Sequence, residues 1–159
     1  MAINFFNPDC ITNTNEPFFG LIDLPPATIL FDNAENWNAW IDNSAKTFNV
    51  ILTAIDSCIE IPRGEGERCE AMITYDNAIM FIELKDRDGG RWAGKARNQL
   101  ENTIRLYGRE ADLGVFTRKY AHIANKQRPN FKSGGSSFTQ EFEDRTGFVL
   151  RVSDVIEIK

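Results

Sequence analysis

Arg68-Cys69-Glu70-Ala71-Met72-Ile73-Thr74-Tyr75-Asp76-Asn77-Ala78-Ile79-Met80-Phe81-Ile82-Glu83-Leu84-Lys85 is the stretch that decides how this chain folds. Residues 69–75 and 78–85 are apolar runs of strand character. Asp76-Asn77 between them tolerates the positive φ that a two-residue hairpin turn requires. A turn of that length pairs Tyr75 with Ala78 and carries the register along the ladder until Glu70 faces Glu83. Side chains alternate along a strand, so Glu70, Met72 and Thr74 share a face with Ile79, Phe81, Glu83 and Lys85. Ala71, Ile73, Met80, Ile82 and Leu84 form the opposite, uniformly apolar face. Two carboxylates and a lysine therefore converge. Like charges directly opposite on a ladder destabilise it by roughly several tenths of a kcal/mol when exposed, and by more when buried. Lys85 offsets part of that repulsion. A hard divalent cation, which prefers carboxylate and carbonyl oxygens, offsets more. The plainer alternative is an exposed hairpin edge on which Glu83 and Lys85 are solubilising charges, since E-x-K spacing is common. The opposed acid, the apolar strand around it and a glutamine on the following helix set this one apart.

Upstream, Phe48 to Ile61 is dense in β-branched residues and reads as a strand, closed by the turn Pro62-Arg63-Gly64-Glu65-Gly66. Before it, Asp32 or Asn33 can cap a helix over 34–46, with Glu35 in its first turn and Trp37, Trp40, Ile41 and Ser44 at helical spacing. The tryptophan pair reads as the core face of that helix rather than as a stacking platform for bases. Residues 1–33 read as an N-terminal arm of irregular chain or short strands, packed by Phe18, Phe19, Leu21 and Ile22. Downstream, Ala93, Ala96, Leu100, Ile104 and Tyr107 predict a helix over 92–107 with Gly108 as its C-cap. Ala111 to Thr117 reads as a short strand, residues 126–135 as a loose basic loop, and 138–142 and 148–158 as C-terminal strands. The connection Asp88-Gly89-Gly90 has no nucleotide-loop pattern and reads as a flexible link.

The chain's 159 residues, 42% hydrophobic and 26% charged, fit a single domain. Its longest apolar runs fall far short of the ~20 residues of a membrane-spanning helix. The N-terminus lacks the basic start of a secretory signal, so the expected setting is cytoplasmic, with no membrane partner. Cys10, Cys58 and Cys69 show no C-x-x-C spacing and read as buried thiols rather than a disulfide framework or a zinc site. Net charge is −5, which argues against nonspecific coating of a polyanion. That average conceals a gradient, because residues 1–60 hold one base against eight acids while residues 87–132 hold eleven bases against four. An anionic partner therefore has a place on one surface.

The hairpin 68–85 resembles the metal-binding hairpin of the PD-(D/E)XK nucleases, most closely the arrangement in archaeal Holliday-junction resolvases and related restriction-type enzymes. Gln99-Leu100 is similar to the helix glutamine that some members carry. The resemblance spans about residues 34–117. It implies an α/β (α+β), restriction-endonuclease-like core of helix, three strands, helix and strand, a mixed central sheet flanked by helices, with N- and C-terminal β additions in 1–33 and 118–159. It further implies Glu70 and Glu83 as ligands of Mg²⁺ or Mn²⁺ with the Leu84 carbonyl as a third. Lys85 would position the attacking water and stabilise phosphorane charge, and Gln99 would orient the nucleophile or contact substrate. Members with an additional acid on the first helix would place it near Glu35, and Glu60 is the competing candidate. The family's proline-aspartate is replaced here by Cys69-Glu70, one methylene longer.

Phosphodiester hydrolysis needs a nucleophilic water and stabilisation of charge on the phosphoryl oxygens, and a carboxylate-held divalent cation supplies both. No histidine is required. The single histidine, His122, reads as structural or solvent-exposed. Substrate positioning falls to Arg87, Arg91, Lys95 and Arg97, with Arg118, Lys119, Lys126, Arg128 and Lys132 near them in sequence. The expected function is Mg²⁺-dependent hydrolysis of nucleic acid, DNA ahead of RNA, by a chain that can act as a homodimer on the two strands of a duplex. The first rival is a catalytically silent member of the same fold that binds nucleic acid or protein as an immunity or regulatory protein. The second is an unrelated α/β interaction module.

Overall fold

Ala71–Tyr75 and Ala78–Lys85 pair antiparallel, with Tyr75 opposite Ala78 and Ala71 opposite Ile82, the register expected from the turn, in which Asp76 takes φ +50°. The computed structural model describes residues 2–128 and 136–159. Numbered along the chain, the strands are β1 (Ile11–Thr14), β2 (Phe18–Asp23), β3 (Ala27–Leu30), β4 (Ala39–Asp42), β5 (Val50–Ala54), β6 (Ala71–Tyr75), β7 (Ala78–Lys85), β8 (Arg118–Asn125), β9 (Val149–Val152) and β10 (Val155–Glu157). The helices are α1 (Trp92–Glu110) and α2 (Ser136–Thr146).

These strands form two mixed sheets, ordered β1-β5-β6-β7-β8-β9 and β10-β4-β2-β3. In the larger sheet β5, β6 and β7 run as an antiparallel meander, and α1 carries the chain across to β8, parallel to β7. Alternation along β6 and β7 sends Ala71, Ile73, Tyr75, Met80, Ile82 and Leu84 into one core with Phe19, Leu21, Ala39 and Ile41 of the smaller sheet. Met72, Ile79 and Phe81 enter a second core with Trp92, Ala96, Leu100, Ile104 and Tyr107 of α1 and Phe142 of α2. The result is three layers: helices, six-stranded sheet, four-stranded sheet. Strand β7 is buried on both faces, which is why it is apolar almost throughout. The exceptions within it are Lys85, its last residue, and Glu83, which is only 1% exposed. Among the described residues no helix is long and apolar enough to cross a membrane.

Several expectations need correction. No helix spans 34–46: Ala34–Asn36 is one 3-10 turn, and the chain then enters β4. In β4, Ala39 and Ile41 point inward while Trp40 is 36% exposed, a period of two that the helical spacing of 37, 40 and 41 concealed. Trp37 instead lies over Gly20 of β2, where an added Cβ would come within 2.0 Å of the indole. Helical propensity here loses to pairing with β2, a partner distant in sequence. The strand expected over 48–61 ends at Ala54, after which Cys58 and Ile59 turn back onto the Ile55 carbonyl.

Helix α1 continues through Gly108 to Glu110, so Gly108 does not cap it. Residues 111–117 hold no strand. The Asp112 carboxylate accepts from the Gly114 amide to form a 3-10 turn, and the crossover strand is 118–125, beyond the expected core boundary. Residues 138–142 lie in α2 rather than in a strand, with Phe142 buried in the helix-side core. The segment 148–158 divides into β9 and β10, which belong to different sheets. Cys10 and Cys58 form a disulfide and only Cys69 is a buried free thiol. The antiparallel pairing of β1 with β5 sets Ile11 opposite Thr53 and so brings these cysteines, 48 positions apart, to the same end of the strand pair. Lys132 lies outside the described residues.

Candidate active site

Glu70 immediately precedes β6 and Glu83 lies near the end of β7, so antiparallel pairing of the two strands puts both carboxylates at one end of the large sheet. Glu70 is tied there through its backbone: its amide donates to Glu83 Oε1 at 3.0 Å and its carbonyl accepts from the Ile55 amide at 2.9 Å. Two residues beyond Glu83 and on the same face, Lys85 places Nζ 3.1 Å from Glu83 Oε2. Lys85 Nζ also donates to Gln99 Oε1 of α1 at 2.8 Å, and Gln99 Nε2 donates to the Arg68 carbonyl at 3.4 Å. Glu70, Glu83, Lys85 and Gln99 thus form one continuous set of contacts. Leu84 buries its side chain between the sheets, so any part it plays at the site falls to its main chain.

Burial sets the electrostatics. Glu83 is pushed up to about 7 by desolvation, against the opposing pull of the Lys85 ammonium and the Glu70 amide. Glu70, 8% exposed, is pushed up to about 8, first by burial, then by the Glu83 charge and by two further carboxylates, Asp23 and Asp56. Its Oε2 atom is buried and has no hydrogen-bond partner among the described residues. A buried, unpaired carboxylate oxygen beside a second carboxylate is costly unless it binds a proton or a cation. Hard oxygen donors of this kind suit Mg²⁺ or Mn²⁺. Among the described residues no three His, Cys, Asp or Glu side chains stand converged as a metal cluster.

The other sequence-selected residues fall into separate groups. The carboxylates whose charge acts on Glu70 besides Glu83 are Asp23 and Asp56, and neither Glu35 nor Glu60, both exposed, is among them. Asp56 directly follows the apolar run 50–55, a signal that was legible; Asp23, at the end of β2, had none. Arg68 lies 3.7 Å from Asp56. At the site end of the sheet, the Lys126 amide donates to the Lys85 carbonyl, and Arg87 stands two residues beyond the end of β7. Arg87 is clamped by Asn125, which accepts from its amide at 3.1 Å and donates to its carbonyl at 2.7 Å. Asn125 and Thr103 were missed. Both are buried polar groups that hold the site's backbone, Thr103 Oγ accepting from the Cys69 amide at 2.8 Å.

Arg91 and Lys95, exposed beside the start of α1, remain solvent-facing cations. Arg128 Nη1 lies 3.2 Å from an Asp88 carboxylate oxygen. The Arg97 guanidinium stacks on Phe138 and pairs with Glu141, joining α1 to α2. Arg118 and Lys119 begin β8 opposite Ala78 and Ile79, whereas Lys85 pairs with Asn125, so they lie about 20 Å from the site along the strands. Arg118 there pairs with Asp76 and bonds the Lys159 carbonyl. His122 is buried on β8, with Nε2 2.8 Å from the Ser153 carbonyl, well removed from solvent.

Comparison with family models, with curated proteins and with solved structures finds no match to this chain. The class the fold defines is a mixed α/β protein of two helices and two mixed sheets among the described residues.

Proposed function

We propose that this chain is a divalent-cation-dependent phosphodiesterase of the PD-(D/E)XK type, acting on nucleic acid and on DNA ahead of RNA. One observation carries the reading: buried Glu83 pairs with Lys85 beside Glu70, whose Oε2 is unsatisfied, and Gln99 of the next helix holds the lysine. The order of meander, α1 and parallel β8 supports it, although the small sheet stands where a leading helix was expected.

A Mg²⁺ or Mn²⁺ ion at Glu70 and Glu83, with the Leu84 main-chain oxygen as a third donor, would supply water activation and neutralisation of phosphoryl charge. The chain's own residues do the rest. Glu83 and Gln99 fix the Lys85 ammonium from two sides, so its charge is preorganised for an anionic transition state rather than swinging in solvent. Gln99, tied to Lys85 and Arg68, orients what approaches from the α1 side. Arg87, Arg91, Lys95 and Lys126 supply phosphate contacts from the same end of the fold. One such site per chain cuts one strand, so duplex cleavage calls for two copies.

The test is cleavage of plasmid, single-stranded DNA and RNA in Mg²⁺ or Mn²⁺, alongside Mn²⁺ titration. Wild type is expected to cleave, with Lys85→Ala at least 100-fold slower. Mn²⁺ binding unchanged in Glu83→Ala removes the proposed site. Mn²⁺ and DNA binding without cleavage of any substrate favours the catalytically silent reading.

A further inference from the structure

The Cys10–Cys58 disulfide lies outside the set of contacts described above, yet it closes on the segment that holds Glu70. Cys58 belongs to the turn after β5, in which the Cys58 and Ile59 amides donate to the Ile55 carbonyl at 3.2 and 2.9 Å. The Ile55 amide in turn donates to the Glu70 carbonyl, and the Glu70 amide to Glu83. Asp56, the adjoining residue, contributes a carboxylate to the field at Glu70 and lies against Arg68, whose carbonyl receives Gln99. Between Asp56 and Cys58, Ser57 has φ +65°, a left-handed conformation that side-chain-bearing residues adopt at a cost and that persists only where the surroundings impose it. The imposing group is at hand: Cys58 is bonded to Cys10, at the end of the 3-10 turn Pro8–Cys10, and β1 then pairs with β5. On the other side of the disulfide is a cavity of about 290 Å³ lined by both cysteines, Ala27, Ile29, Phe31 and Ala54. It provides access for a small thiol and room for the turn to relax.

We propose that the Cys10–Cys58 disulfide is a positioning element of the Glu70–Glu83 site, so that the site's grip on a divalent cation depends on the redox state of that bond. This rests on the cation-site reading above. A dithiol reductant donates two electrons, breaks the Cys10–Cys58 bond and leaves two protein thiols while itself closing to a cyclic disulfide. The turn is then free to leave the left-handed conformation at Ser57, shifting Asp56 and the bond from Ile55 to Glu70. In reducing surroundings such as a cytoplasm, a bond of this kind acts as a sensor rather than a permanent staple.

The experiment compares Mn²⁺ affinity, by calorimetry, of the oxidised chain, a Cys10→Ser/Cys58→Ser variant and Asp56→Asn, each checked for native circular dichroism. The expected result is at least fivefold weaker binding in the double-serine variant and a smaller loss in Asp56→Asn. Affinity within twofold of wild type in a folded double-serine variant overturns the proposal, since a purely structural staple lowers stability without changing the site. If the oxidised chain itself binds no Mn²⁺, it is the underlying cation-site reading that fails. Should the serine variant not fold, amide exchange of Ile55 in the wild-type chain decides: reduction with dithiothreitol is expected to speed it at least tenfold relative to β7 amides. Equal protection in both redox states overturns the idea.

Discussion

Replacing Glu70 with glutamine should make the metal-free protein more stable in alkaline buffer, the reverse of what most substitutions of buried residues do. Glu70 ordinarily titrates at 4.5, but burial, then Glu83, raise it to about 8. Between those values the folded chain holds a proton that the unfolded chain has released. Stability from this group is therefore present below about pH 4.5 and is lost as pH rises through about 8. At roughly 1.4 kcal/mol per unit, the shift amounts to about 5 kcal/mol if Glu70 titrates alone. Glu83, raised to about 7, titrates in the same window and the two carboxyls can share one proton, which makes the effect of a single substitution smaller than that figure. Glutamine keeps the size and removes the charge. Urea unfolding in EDTA at pH 5, 7 and 9 should show Glu70→Gln close to wild type at pH 5 and ahead of it at pH 9. Adding Mg²⁺ should stabilise wild type at pH 9, since a ligand that binds the folded chain shifts the equilibrium toward it, and should leave the variant unmoved. A variant less stable than wild type at pH 9 without metal would refute the argument that burial and like charge dominate at Glu70.

Three further outcomes are expected. His122, the chain's single histidine, is held neutral by burial and lowered to about 4, so its contribution is intact above pH 6.5 and is lost on acidification towards pH 4, by roughly 3 kcal/mol. Its imidazole signals in NMR should not titrate between pH 8 and 5; a midpoint near 6.5 would contradict the buried placement. Opening the Cys10–Cys58 bond, which closes a loop of 48 residues' separation, should lower unfolding stability by about 4 kcal/mol in denaturant titrations, and thiol counting under native oxidising conditions should find one free cysteine, Cys69. Gly20→Ala should cost on the order of 2 kcal/mol or more and increase the solvent exposure of Trp37 fluorescence, because the added methyl meets the indole ring; Mn²⁺ affinity should not change.

How much could be read in advance differs from residue to residue. The hairpin register was legible because Asp76-Asn77 admits a two-residue turn, which pairs Tyr75 with Ala78 and carries that pairing along the ladder. With the register came the opposition of Glu70 and Glu83 and the shared face of Glu83 and Lys85. Gln99 was legible as a helix position but not as the partner of Lys85, since that contact depends on how α1 docks on β7. The spacing of Trp37, Trp40 and Ile41 suited a helix as well as a strand that follows a turn, and only pairing with β2 and β10 settled it. Arg118 looked close to the site in sequence, yet parallel pairing with β7 places it at the far end of the strand.

The sequence by itself determined the hairpin, its register, the helix that follows and the convergence of two acids and a lysine, because each depends on bonds and faces within a few residues of the chain. Only the tertiary structure decided the rest. The small sheet, the Cys10–Cys58 bond, the burial that raises Glu70 and Glu83, and the approach of Asp23 and Asp56 all depend on pairing between segments tens of residues apart. Such pairings are chosen by which apolar faces can cover one another, and no local pattern carries that information.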